Sequence, residues 1–220
     1  MNIFETLTPV ERARQLAHPE GEVGLAVADW LNGNNRAANA HMVGLLNLEP
    51  GSRVLEIGPG NGRTLPDIIA AAPDVHYTGI DLSPTMVAEA SRFNAGLVSA
   101  GRAAFHLGTA EHMPFADASF DRIFSLGVIH FWADPARPLA ETRRVLRPGG
   151  SALMGCLAPR SANDSNRREY GFFLREASEW DRLYRAAGFA EVKAEELETA
   201  MTNLDGTPVT RYSIRVTALA

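Results

Sequence analysis

The chain has 220 residues, 21 basic against 26 acidic side chains and a formal net charge of −5. That length can bury a sizeable core in one domain, and with no basic block or stripe the composition speaks against a nucleic-acid partner. The single cysteine, Cys156, excludes an internal disulfide and any cysteine-based metal cluster. The amino terminus carries acids and no long apolar core, and no run approaches the roughly 20 apolar residues of a spanning helix. The expectation is therefore a soluble cytoplasmic protein without membrane insertion.

Residues 1 to about 50 read as helical, with Leu25, Ala28 and Leu31 and later Met42, Leu45 and Leu46 at helical spacing. Between the two sets, Asn32-Gly33-Asn34-Asn35 is a turn signal. Pro50-Gly51 punctuates the approach to a first strand at 53–57. A helix at about 62–72 follows, then a strand at 75–80 ending on Asp81, then a helix to about 99 with Ser83 as N-cap and Pro84 in its first turn. Further strands are expected at 103–107, 121–126, 151–157, 190–197 and 210–219, with helices at 136–146 and 178–187. Residues 158–177 are polar and irregular, as in a lid or a disordered segment. Strands alternating with helices predict a parallel sheet covered on both faces.

The most informative stretch is Glu56-Ile57-Gly58-Pro59-Gly60-Asn61-Gly62, an apolar strand that ends in an acid and then places glycine at every second position. Such a turn needs backbone angles that glycine adopts without steric cost, and lets the backbone approach a ligand closely. It sits between a strand and a helix, where open α/β sheets bind nucleotides. The dinucleotide fingerprint G-x-G-x-x-G would need a glycine where Arg63 stands, which counts against an NAD(P)-dependent oxidoreductase.

The pattern E/D-x-G-x-G-x-G at Glu56–Gly62 resembles that of the class I S-adenosylmethionine (SAM)-dependent methyltransferases. Downstream, Gly108-Thr109-Ala110-Glu111-His112-Met113-Pro114-Phe115 resembles the family's G-D-A-x-x-L-P-F. The run Phe115–Asp121 resembles F-x-D-x-S-F-D, and Leu146-Arg147-Pro148-Gly149-Gly150 the L-K-P-G-G turn before strand five. These matches span about half the chain in the family's order. The resemblance implies a Rossmann-like, doubly wound sheet of seven strands, mostly parallel with an antiparallel last strand. It also implies helices of residues 1–50 capping the site of a methyltransferase domain at 51–220.

It further implies SAM as cofactor, S-adenosylhomocysteine as product and a small-molecule acceptor. Gly58, Gly60 and Gly62 would form the cofactor turn, and Asp81, 19 positions after Gly62, would accept from the ribose hydroxyls. Leu82 and Met86 would flank the adenosine. Glu56 would either sit near the amino-acid portion of SAM or brace the loop. Ala110 would meet the adenine through its backbone; Thr109 replaces the family's acid there, so Glu111 or a water would have to supply the amino-group contact.

The end of strand four is where family members place groups that face the acceptor. His130 is the candidate base or orienting group there, or alternatively a residue bonding nearby backbone or lining the pocket. Trp132, Trp30, Asn35 and Tyr170 are candidate acceptor contacts or ordinary packing residues. No N/D-P-P-Y/F motif occurs, which disfavours the amino-methyltransferases of DNA bases and of protein glutamine, and a lone cysteine argues against arsenic methylation. His76, His106 and His112 lack partners at ligand spacing, so no metal site is expected. A non-catalytic module that binds SAM or its product would present the same motifs.

Overall fold

The computed structural model describes residues 3–163, 166–202 and 208–220. Helices α1 (Ile3–Thr6), α2 (Pro9–Ala17) and α3 (Gly21–Leu45) precede strand β1 (Arg53–Ile57). Then come α4 (Leu65–Ala71), β2 (His76–Asp81), α5 (Pro84–Phe93), α6 (Ala95–Ser99), β3 (Ala103–Leu107) and β4 (Phe120–Leu126). The chain continues with α7 (Ala136–Val145), β5 (Leu146–Leu157), α8 (Ala177–Ala186), β6 (Glu191–Thr202) and β7 (Pro208–Leu219).

The seven strands form one sheet in the order β3-β2-β1-β4-β5-β7-β6. Strands β1 to β5 pair in parallel, while β7 runs antiparallel to both β5 and β6. This is the Rossmann-like mixed sheet expected, with its antiparallel last strand. Because β2 and β4 flank β1 on opposite sides, the strand order reverses at β1, and a crevice opens above the carboxyl ends of β1 and β4. Strand β1 is buried on both faces, as a central parallel strand must be. Val54 joins Met42, Val43, Leu65 and Ile68 in one apolar layer. Leu55 and Ile57 join Leu139, Trp180 and Tyr184 in the layer on the other face.

The helix expected to about 99 is divided at Asn94 into α5 and α6, and two further differences concern α3 and β5. Helix α3 runs unbroken for 25 residues, through the predicted turn at Asn32-Gly33-Asn34-Asn35. Helix propensity there is poor, but the asparagines make bonds across to other elements. Asn32 Nδ2 donates to Asn61 Oδ1 (2.8 Å), Asn39 Nδ2 to Thr64 Oγ1 (3.4 Å), and Asn35 Oδ1 accepts from the Arg211 guanidinium (2.6 Å). Tertiary bonds thus override the local turn signal. The second difference lies in β5, which begins at Leu146. Phe120 and Arg122 of β4 face Leu146 and Ser151, so Arg147–Gly150 form a bulged insertion within the strand rather than a turn before it.

Candidate functional site

The crevice is a cavity of about 320 Å³ whose lining joins the loop after β1, the ends of β2 and β4, the segment 108–111 and the inner face of α3. Its floor is the glycine turn. Gly58, Gly60 and Gly62 have φ of 73°, 55° and 73°, the left-handed region that favours glycine. Space is also short around two of them. A Cβ on Gly58 would lie 2.4 Å from Val128 Cγ2, and one on Gly62 2.7 Å from Asn94 Nδ2. Asn61, between Gly60 and Gly62, is almost fully buried and donates to Asp29 Oδ1 (2.9 Å) while accepting from Asn32. The turn is thereby tied to the helix that roofs it.

Asp81 stands at the end of β2, facing this turn. Its Oδ2 accepts from Gly60 N–H (3.1 Å) and its Oδ1 from Ser83 N–H (2.9 Å). A carboxylate offers about four acceptor positions, so both oxygens keep capacity for a ligand. Burial raises the Asp81 pKa, and the N–H bonds from Ser83 and Gly60 together with the charge of His18 oppose that rise. The helix-capping role belongs to Ser83, whose Oγ accepts from Met86 N–H (3.2 Å) and also bonds the Pro19 carbonyl.

Glu56 is buried at the cavity wall, and Tyr77 Oη donates to its Oε2 at 2.6 Å. Burial pushes its pKa up to about 7; the Tyr77 bond opposes this and the neighbouring Asp81 adds to it. Leu82 and Met86 line the cavity, as do Thr109, Ala110 and Glu111. The cofactor-facing candidates named from sequence therefore share one cavity, with Gly62 just behind its lining. Trp132 and Asn35 also line it.

Three candidate residues stand elsewhere. His130 lies beneath the wall that its neighbours Phe131 and Trp132 form. Its ring is 4% exposed, stacks on Phe172 at 5.3 Å with 7° between planes, and makes a long 3.5 Å contact with Leu157 N–H. Burial without a charged partner lowers its pKa to about 3. The η-turn that carries it (Ile129–Phe131) rotates the imidazole into the aromatic layer and presents the next two side chains to the cavity. Trp30 and Tyr170 are half-buried outside the lining. On the long helix α3, the cavity-facing positions are Ala28, Leu31, Asn32, Asn35 and Asn39, which turns Trp30 aside.

Sequence reasoning missed Tyr77, Asn61 and the asparagine face of α3. The spacing Asn32, Asn35, Asn39 is a helical i, i+3, i+7 stripe, a signal that the turn-like composition masked. Asn39 Oδ1 is buried without a partner among the described residues, and its side chain lines the cavity. Grouped His, Cys, Asp or Glu side chains able to hold a metal do not occur among the described residues. None of the described helices is long and apolar enough to cross a membrane.

A left-handed glycine cradle, a paired acid at the end of β2 and an orphaned amide oxygen at the roof fit a nucleotide bearing hydroxyl and ammonium groups. Comparison with known proteins agrees with the class that this fold and site define. A family model for a methyltransferase domain matches residues 55–154. The 27-O-demethylrifamycin SV methyltransferase of Amycolatopsis mediterranei is 34% identical over 166 residues, covering 71% of this chain and 60% of that protein. An uncharacterized methyltransferase, YdaC, of Bacillus subtilis is 27% identical, covering 72% of this chain and 82% of its own length. Among solved structures, phosphoethanolamine N-methyltransferase 2 of Haemonchus contortus, in complex with SAM, superposes with a TM-score of 0.72. It is 17% identical and is covered over 57% of its length against 90% of this chain, a likeness of fold. Together these likenesses support a class I SAM-dependent methyltransferase.

Proposed function

We propose that this protein transfers the methyl group of SAM to a small-molecule acceptor. The observation that carries the reading is Asp81, buried at the carboxyl end of β2 with one oxygen on the glycine turn and acceptor capacity left toward the cavity. In this reading Asp81 holds the ribose, Gly58 and Gly60 admit the cofactor backbone-close, and Glu56 and Asn39 Oδ1 receive its ammonium. Ala110 meets the adenine through its backbone, with Leu82 and Met86 flanking it. Residues 1–50 act as the cap and 51–220 as the catalytic domain.

Bound SAM supplies an electrophilic methyl carbon on a sulfonium. The protein's part is then chiefly to align that carbon with the acceptor and exclude water. Phe131, Trp132, Leu126 and Val128 give the acceptor side an apolar wall. His130 holds the wall in place, and no proton-transfer role is assigned to it. Cys156 is buried, with its pKa pushed up to about 12 chiefly by burial, which fits poorly with thiol-dependent arsenic chemistry.

Calorimetric titration with S-adenosylhomocysteine, with NAD as control, tests the cofactor. Micromolar binding of the former alone supports the proposal, and binding of neither or of NAD removes it. Transfer of a labelled methyl group across an acceptor panel then separates an enzyme from a module that only binds SAM.

A further inference from the structure

Strand β7 reaches the carboxyl edge of the sheet with Arg211 on the face that α3 covers. Alternation along β7 sends Ile214, Val216 and Ala218 into the layer beneath the sheet, leaving Arg211 and Arg215 on the α3 side. The two arginines differ in their partners. Arg215 is held by the Glu195 carboxylate and also contacts His41 Nε2 (3.3 Å). Arg211 is half-buried, and among the described residues its side chain donates from NH1 to Asn35 Oδ1 at 2.6 Å. Among the described residues it has no carboxylate partner, and burial alone lowers its pKa.

A guanidinium taken from water without a counter-charge is a large local penalty. Its planar fork has five N–H donors, and one meets a neutral amide oxygen here. Asn35 belongs to the cavity lining, and with its Oδ1 committed to Arg211 its NH₂ group is left as a donor at the wall. The same lining holds the apolar side chains of Leu126, Val128, Phe131 and Trp132. The lining thus sets apolar side chains beside the Asn35 amide, and the Arg211 guanidinium stands behind that amide, bonded to it from outside the lining.

We propose that Arg211 and Asn35 form an anion seat, and that the acceptor is an apolar or aromatic molecule carrying a carboxylate or a phosphate monoester. The seat anchors the acceptor at a distance from the reacting atom, so Arg211 is a specificity residue. This inference rests on the methyltransferase reading for the word acceptor, but the seat itself can be measured without it.

The test is calorimetry with 4-hydroxybenzoate, phenyl phosphate and the neutral 4-hydroxybenzamide, on the protein with and without saturating S-adenosylhomocysteine. One of the two anions should bind on the order of tenfold tighter than the amide, about 1.4 kcal/mol. Which anion wins identifies the carboxylate or the phosphate source. Arg211→Gln should erase that preference and Arg211→Lys should retain part of it. Both should leave the affinity for S-adenosylhomocysteine within about twofold. Asn35→Leu, which removes the second donor together with the amide oxygen that holds Arg211, should weaken the anions and leave S-adenosylhomocysteine affinity within about twofold.

Equal binding of amide and anions overturns the seat, and so does a preference that survives in Arg211→Gln. Absence of anion binding up to about 10 mM overturns it as well. Failure of S-adenosylhomocysteine to bind, with the anion preference intact, removes the methyltransferase reading and leaves the seat standing.

Discussion

Tyr77 on β2 donates its phenolic proton to Glu56 on β1 across 2.6 Å of buried space at the cavity wall. The two residues sit on neighbouring parallel strands, where Glu56 faces Gly79 in register and Tyr77 faces Val54. The missing side chain at Gly79 leaves room for this diagonal bond; a Cβ there would lie 3.1 Å from the Tyr77 hydroxyl. Tyr77 is therefore a positioning residue for Glu56, which shares the cavity lining with Asp81 and Glu111.

The first prediction follows from the pKa of about 7 that burial imposes on Glu56. Below that value the empty site holds a neutral carboxyl, and seating an ammonium against it must expel a proton. Affinity for S-adenosylhomocysteine should then fall about tenfold for each pH unit below 7 and level off above it. Glu56→Gln should flatten the profile. Tyr77→Phe, which removes a bond favouring the charged form, should shift the fall to higher pH. Titration calorimetry at several pH values reads all three, and a flat native profile would mean that Glu56 only braces the loop.

The same group sets a stability trend in the empty protein. Its pKa is about 7 folded against 4.5 for an unperturbed glutamate, so the native state binds more protons than the unfolded state between those values. Stability from this group is complete below about 4.5 and declines as pH rises toward 7, by roughly 3 kcal/mol at most. Thermal melts of the native protein and of Glu56→Gln, compared across that window, should converge at the acidic end and separate toward neutrality. Parallel curves would place the carboxyl in a wetter setting than the cavity wall suggests.

Asp81 is the sharpest test of the cofactor assignment. Asp81→Ala should weaken S-adenosylhomocysteine binding by more than tenfold, at least about 1.4 kcal/mol, because two buried ribose hydroxyls lose their acceptor. Asp81→Asn, which retains one acceptor oxygen, should fall between. Unchanged affinity in Asp81→Ala would reduce Asp81 to a brace for the N–H groups of Gly60 and Ser83.

What the sequence disclosed and what it withheld divide along contact range. The glycine turn, the acid ending β2 and the Ser83-Pro84 helix start are local patterns whose physics lies within a few residues, and all were legible. Helix α3 was misread because its asparagines are stabilised by Asn61, Thr64 and Arg211, which are far away in the chain. For Tyr77, nothing local in the sequence shows that its hydroxyl meets Glu56. His130 followed a motif to the correct strand end, but the η-turn there decides which consecutive side chain faces inward. Such a rotation leaves no period in the sequence.

His130 yields the last prediction, because its burial and the role expected from sequence pull in opposite directions. A base that works near neutrality must titrate there and touch the acceptor. This imidazole has a pKa of about 3 from burial and stacks on Phe172 behind the lining. His130→Ala should therefore open a hole in the aromatic layer and lower stability by roughly 3 kcal/mol, as large-to-small core changes do. His130→Phe, which refills the layer, should restore most of that loss. Affinity for S-adenosylhomocysteine should hold in His130→Phe, and once an acceptor is in hand its turnover should follow the native pH profile. If His130→Phe folds like the native protein yet loses turnover a hundredfold, about 2.7 kcal/mol, the imidazole reaches the acceptor in the loaded enzyme and its burial here describes the empty state.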